Sequence, residues 1–385
     1  MHSHRTAWTP ADLCSVSPSP ERADLVLAFG PRALLEDVAV FDAVRQRYPS
    51  ARIAGASTGG EILDGRVLDE TLTTAAIAFE TTSVDVVWTP AADAETDQAL
   101  GRELAAQLAP ADAAGRPLAH VVVLGDGVTL NGSDLAAGVE AGLPAPVAVT
   151  GGLAGDGAQF AKTVLWADGL LREPAALAVA FYGDHLRVGV GAGGGWDTFG
   201  IERTVTRSAG NVLVELDGRP ALDLYRDYLG AHAAELPASG LRFPLSVGMP
   251  GGDYELVRTL LRVDRDAGTL TFAGDIPQGA TARLMRSNPD RLVDGALSAA
   301  TRARTALGTM PELSLMVSCV GRKWTMGERA EEEVEEAALA LDQTATVGFY
   351  SYGELASAEG GSRCELHNQT LTVTAFSEAR AAPRP

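Results

Sequence analysis

The sequence predicts a mixed α/β (α+β) protein: layered β-sheets flanked by helices, arranged as two related halves. Three observations predict it. Short apolar runs that end in glycine alternate with segments of helical period. Several of those runs follow one another with no helix between them, which a strictly doubly wound sheet does not do. The texture changes near residue 200 of a chain whose 385 residues suffice for two ordinary domains.

Taken in order, residues 1–22 are polar and rich in Pro and Ser, and read as a flexible leader. Residues 25–29 form an apolar strand stopped by Gly30-Pro31. Leu34, Leu35, Val38, Phe41, Val44 and Tyr48 recur at helical spacing, and Pro49 ends that helix. Short strands follow at 53–56, 72–79 and 84–87, rich in β-branched residues. A helix over 97–108, a strand over 120–124, a helix over 134–142 and a strand over 147–150 come next. The runs 163–166, 176–182 and 186–191 read as consecutive strands, with Gly183-Asp184 as a hairpin turn. Beyond residue 200, Pro220 opens a helix, as proline at a first turn allows. Residues 256–263 and 269–272 suggest a hairpin, 289–307 a helix, 313–320 a strand, 328–341 an acidic helix, and 346–350 and 371–376 the last strands. The expected organisation is a leader (1–22), an N-terminal domain (23–210), a C-terminal domain (211–377) and a frayed tail (378–385).

Charge and composition exclude several classes. A net charge of −19 repels phosphate backbones, and Arg258, Arg262 and Arg265 make no continuous basic stripe, so nucleic acid is not an expected partner. Three cysteines form no disulfide framework and fit a reducing compartment. The first residues lack the apolar core of a signal peptide, and no run reaches the roughly 18 apolar residues of a membrane span. A cytoplasmic location is expected, with no membrane insertion.

One local pattern occurs three times. Gly55-Ala-Ser-Thr-Gly-Gly-Glu61, Thr150-Gly-Gly-Leu-Ala-Gly-Asp156 and Gly348-Phe-Tyr-Ser-Tyr-Gly-Glu354 each close a short strand with small or polar residues, glycine and a carboxylate. Glycine lets a ligand approach the main chain, and a carboxylate at fixed offset accepts hydrogen bonds from an amine or hydroxyl. Strand ends are also where open α/β sheets bind ligands. Equally, each acid can satisfy backbone N–H groups of its own turn. Nothing in the residues shows that Glu61, Asp156 and Glu354 converge.

These segments resemble the FIST family of intracellular signal-transduction proteins. The resemblance rests on Gly55–Ile62, Gly151–Asp156, Gly195-Trp196, Leu216–Ala221 with Tyr225, Val317–Arg322, Gly348–Glu354 and His367–Thr372, and runs from about 24 to 376. It implies an N-terminal and a C-terminal FIST domain in one sensory module that binds a small ligand, such as an amino acid or similar polar metabolite. Bacterial members often work beside signalling enzymes. With no kinase, cyclase or methyl-accepting segment of its own, this chain would hand its signal to a separate protein. The candidate ligand-binding residues are Ser57, Thr58, Glu61, Gly152, Asp156, Cys319, Arg322, Tyr350, Tyr352, Glu354, His367 and Asn368.

Other chemistry is weaker. Gly55-Ala-Ser57-Thr-Gly59 matches a nucleophile elbow, but no helix is expected directly after it, so catalysis by Ser57 is the lesser reading and no enzyme is expected. Cys319 lies three residues before Arg322, a cation able to lower a thiol pKa or to fork onto a ligand carboxylate. Buried strand-end thiols are, however, commonly inert. No cofactor is expected. Some relatives are haem gas sensors, and His367 is the residue that would serve as axial ligand in that alternative. The histidines have no zinc spacing. Gly191-Ala-Gly-Gly-Gly195 leads into Trp196 rather than a helix and is a poor dinucleotide site.

Overall fold

Three sheets of six strands share one topology in the computed structural model, which describes residues 1–19, 21–143, 147–171, 173–248, 254–357 and 363–379. The strands come in three sets along the chain. The first set is β1 (His2–Trp8), β2 (Leu25–Gly30), β3 (Arg52–Ser57), β4 (Glu61–Leu63), β5 (Arg66–Leu68) and β6 (Leu72–Ala78). The second is β7 (Ser83–Pro90), β8 (Leu118–Gly125), β9 (Ala148–Leu153), β10 (Leu165–Ala167), β11 (Leu170–Leu171) and β12 (Ala175–Tyr182). The third is β13 (Leu186–Gly193), β14 (Leu313–Cys319), β15 (Thr346–Ser351), β16 (Gly353–Ser357), β17 (Cys364–His367) and β18 (Leu371–Glu378).

The sheets run β1-β6-β2-β3-β10-β11, β7-β12-β8-β9-β16-β17 and β13-β18-β14-β15-β4-β5. In each, the central pair is parallel and the flanking pairings are antiparallel. Each repeat gives its short hairpin to a neighbouring sheet: β4-β5 to the third, β10-β11 to the first, β16-β17 to the second. The repeats are therefore interlocked. The mixed α/β reading holds, but the related units number three, not two.

Alternate residues of all three sheets meet in one central core. Leu27, Phe29 and Ala56 come from the first sheet, Leu124, Leu177 and Val179 from the second, and Leu315, Val317 and Phe349 from the third. Phe29 stacks on Phe349 at 4.6 Å. Helices cover the outer faces. They are α1 (Arg32–Leu35) and α2 (Val38–Arg47) on the first sheet, α3 (Asp97–Ala106) and α4 (Gly132–Gly142) on the second. Asp37, Thr96 and Asn131 cap α2, α3 and α4 by accepting from backbone N–H groups.

Between β13 and the long helix of the third repeat, residues 197–286 leave the core and form their own nine-stranded sheet. Helix α5 (Ala221–Leu229) packs on it through Leu222 and Tyr225, against Val205, Leu245 and Phe272. The expected division at 210/211 falls inside this inserted unit. The change of texture at residue 200 marks its start, and the chain rejoins the third repeat at α6 (Pro289–Leu307). Helices α7 (Val320–Met326) and α8 (Ala330–Ala340) complete the third repeat.

Three further expectations are corrected. The leader contains β1, paired along its length with β6, and Met1 is buried in the central core. Its alternation His-Ser-His-Arg-Thr shows no apolar face because its outer side is partly open. The tail begins later than expected: Ser377 and Glu378 close β18, and Glu378 accepts the backbone N–H groups of Glu80, Thr81 and Thr82 at 2.7, 3.0 and 2.8 Å. Residues 380–385 of the expected tail lie outside the described residues. Gly183-Asp184 makes no hairpin, because β12 and β13 belong to different sheets. The glycines of β13 are packing residues. A Cβ on Gly189, Gly191 or Gly193 would lie 2.0, 2.0 or 2.1 Å from a carbonyl oxygen of α6, so α6 rests directly on the strand backbone.

Candidate functional site

Each of the three Gly-acid turns carries the chain from a parallel strand into the hairpin that its repeat gives to a neighbouring sheet, and the three turns converge. Gly59 N–H donates to the Tyr350 carbonyl at 2.7 Å, and Tyr350 N–H to that of Gly60 at 2.8 Å. Gly155 N–H donates to the Ser57 carbonyl at 2.8 Å, and Tyr352 N–H to that of Leu153 at 3.1 Å. This ring of backbone bonds ties the repeats at the carboxyl ends of their parallel strands. Lys323 Nζ braces it, donating to the Gly59 carbonyl at 3.0 Å and pairing with Asp69.

The carboxyl groups of the turns are engaged by the protein itself. Glu61 accepts from Thr58 Oγ1 at 2.6 Å and Thr71 Oγ1 at 3.4 Å. Glu354 accepts from Ser351 Oγ at 2.7 Å, and from the hydroxyl and N–H of Thr370 at 2.9 and 3.2 Å. Thr71 and Thr370 each precede the long strand of their repeat, so the two cages are equivalent. Burial dominates both acids and pushes each up to about 8, against the hydroxyl bonds that lower them. Asp156 differs. Burial would raise it, but the Tyr352 hydroxyl and the N–H groups of Lys162, Ala161 and Phe160 hold it below the usual carboxylate range.

The other expected residues are also placed. Ser57 is buried and its Oγ accepts from Val164 N–H at 2.9 Å. The chain after it enters β4, not a helix. Gly152 faces the central core, where its Cβ would meet Val317 at 2.7 Å. The Arg322 guanidinium already forks onto a carboxylate: Nε and Nη2 lie 2.8 and 2.7 Å from Glu333. The remaining donors of Arg322 reach the carbonyls of Gly194, Gln369 and Leu292. Ser318 and Tyr350 hydroxyls complete the network on Glu333. Cys319 ends β14 immediately before α7, and burial first, then Glu354, pushes its thiol far up and away from the thiolate. Tyr352 donates to Asp156 and to the Gly157 carbonyl and stacks on Phe160 at 4.6 Å. Asn368 Oδ1 accepts from Thr259 N–H of the inserted unit at 3.3 Å.

Of the twelve, His367 lines an open cleft. The cleft, about 340 Å³, lies between the inserted unit and the third repeat. One wall is α6, whose Arg291, Asp294, Ser298 and Arg302 recur at helical spacing on one face. The facing wall is strand Glu255–Arg258, which presents Glu255 and Val257. The backbone of Ala192–Gly195, His367 and Thr370 make the floor. Burial, then Arg258, lowers His367 to about 4, so its ring is neutral near pH 7. Its Nε2 lies 3.1 Å from the Ala356 carbonyl. Thr370 joins the cleft floor to the third turn through Glu354. Arg291, Asp294, Ser298, Arg302, Glu255 and Thr370 were not among the residues expected from sequence. A polar stripe beside the apolar stripe Ala296, Ala299, Ala300 and Ala303 reads as solvated surface until the facing strand is known.

A polar cleft thus lies between an inserted unit and an interlocked α/β scaffold. The chain belongs to the FIST family: the FIST N domain matches residues 24–219 and the FIST C domain residues 221–357. FIST domains are sensory modules of signal transduction. No curated protein matches the chain. Among solved structures it is similar to a crystal structure of a chorismatase at 1.08 Å resolution. That similarity covers 98% of each chain, with 11% identity and a TM-score of 0.35. Among the described residues no helix is long and apolar enough to cross a membrane.

Proposed function

We propose that this protein is the ligand-binding input module of a bacterial cytoplasmic signalling system, and that its ligand occupies the cleft between α6 and strand Glu255–Arg258. One observation carries the reading: two separately folded units present charged side chains of both signs across a cavity of about 340 Å³. That size suits a metabolite of amino-acid dimensions. Arg291 and Arg302 suit an anionic group, and Glu255 and Asp294 an amine or hydroxyl. The module binds without turnover and without a cofactor, and a separate signalling protein receives the output.

Thermal-shift screening against amino acids and related polar metabolites tests the reading. A ligand at 100 times its Kd stabilises the fold by about 2.7 kcal/mol. A hit should weaken at least tenfold in Arg291→Gln and Glu255→Gln, both partly or fully exposed and outside the core. A hit untouched by both variants, or no hit across the panel, would refute the assignment of the cleft.

A further inference from the structure

The internal threefold repeat exposes a missing part. In the second repeat the outer face of the edge pair β7-β12 is covered by α3, whose Leu100 and Leu104 pack with Ala176, Ala178 and Ala180 of β12. In the third, the edge pair β13-β18 is covered by α6, whose Ala299 and Ala303 pack with Val373 and Ala375 of β18. Both helices enter the chain at the same point of the repeat, after the edge strand and before the parallel pair. At that point in the first repeat, between β1 and β2, the described residues contain only a single 3-10 turn, Asp12–Ser15.

The consequence is visible on the first sheet. The outer face of β1-β6 pairs Trp8 with Leu72, Thr6 with Thr74, His4 with Ala76 and His2 with Ala78. The upper half is closed, Trp8 Nε1 donating to Thr74 Oγ1 at 2.9 Å and Leu13 packing nearby. The lower half is an open groove of about 560 Å³, with His2, His4, Ala76 and Ala78 as floor and Glu21, Arg22 and Glu80 at its rim. Alanines in the floor allow a close backbone approach, as the small residues under α6 do.

We infer that this groove is a docking site for one amphipathic helix of a partner protein, which completes the first repeat as α3 and α6 complete the other two. The occupant is a helix because that is what fills the equivalent place twice within this chain. Its length is about that of α3, ten residues. Its buried face carries small or medium apolar residues, and its flank carries a basic residue toward Glu21 and Glu80. The sheet itself is already paired through β6, so a helix needs no new backbone bonds from it.

The test uses the full chain and a panel of stapled helical peptides. Each has an Ala/Leu face, with either Lys or Glu on the flank. Binding is read by fluorescence anisotropy, and the footprint by hydrogen exchange. The inference expects that Lys-flanked members bind and protect the amides of 2–8 and 72–78. It expects affinity to fall at least tenfold in Ala78→Trp, which fills the groove, while the melting temperature stays within about 2 °C of wild type. A second variant, Glu21→Lys with Glu80→Lys, should reverse the preference toward Glu-flanked peptides. Four results would overturn the inference. They are no binding by any member, a footprint elsewhere, affinity unchanged by both variants, or better binding by an extended peptide of the same composition. Concentration-dependent dimerisation lost in Ala78→Trp would also overturn it, by making a second copy the occupant.

Discussion

Replacing Glu354 by glutamine should make the protein more stable at pH 8 and leave it nearly unchanged at pH 5. Glu354 is fully buried, and burial pushes its carboxyl up to about 8 from an ordinary value of 4.5. The folded state therefore holds the proton more tightly than the open chain does. Its stability contribution is complete below about 4.5, declines as pH rises, and is lost once the pH passes about 8. Each pH unit in that window costs up to about 1.4 kcal/mol, so the total reaches at most about 5 kcal/mol. Glutamine keeps the shape and a donor toward Ser351 Oγ but cannot ionise. Urea unfolding at half-unit steps from pH 5 to pH 8.5 measures the difference. The variant's curve should flatten by up to about 1.4 kcal/mol per pH unit relative to wild type. Parallel curves for the two proteins would show that Glu354 is ionised throughout, and would refute the buried neutral acid.

Three further outcomes follow from the same geometry. Arg322→Met should destabilise the fold by about 3–5 kcal/mol, because it leaves Glu333 buried and unpaired; adding Glu333→Gln should recover part of that loss, measured by chemical denaturation. Gly191→Val should prevent α6 from seating on β13, since its Cβ would stand 2.0 Å from the Ala299 carbonyl, and circular dichroism should show an unfolded or non-cooperative chain. Ser57→Ala should cost about 1–3 kcal/mol by leaving Val164 N–H unpaired, while activity on ester substrates stays at the buffer background in both proteins.

Much of the fold was legible where local signals agree with tertiary demands. The helix at 289–307 has Asn288 as its cap, Pro289 at its first turn and Gly308 in the left-handed conformation after it. The buried parallel strands 25–30, 118–125 and 313–319 read as apolar runs because both of their faces are covered. The edge strand β1 was not legible, since one of its faces is open and no apolar alternation marks it. The threefold order was hidden for another reason. The Gly-acid turns reported it, but the second copy ends in Asp156 with different partners, and the inserted unit separates β13 from its sheet partners by more than a domain's length.

The candidate site was legible only at His367. Polar residues in the turns were singled out for their chemistry, yet Thr58, Ser351, Glu61 and Glu354 satisfy one another three residues apart, which composition alone does not disclose. Arg322 met its carboxylate in Glu333, eleven residues on. The cleft draws on α6, strand Glu255–Arg258 and the 192–195 backbone, so its residues share no local pattern.

Hydrogen exchange with and without the strongest ligand from the metabolite screen tests the account most directly. The cleft assignment predicts that protection concentrates in 192–195, 255–257 and 291–302, with the backbone at 57–61 and 151–156 unchanged. Protection centred on those turns, with the walls of the cleft unaffected, would contradict it.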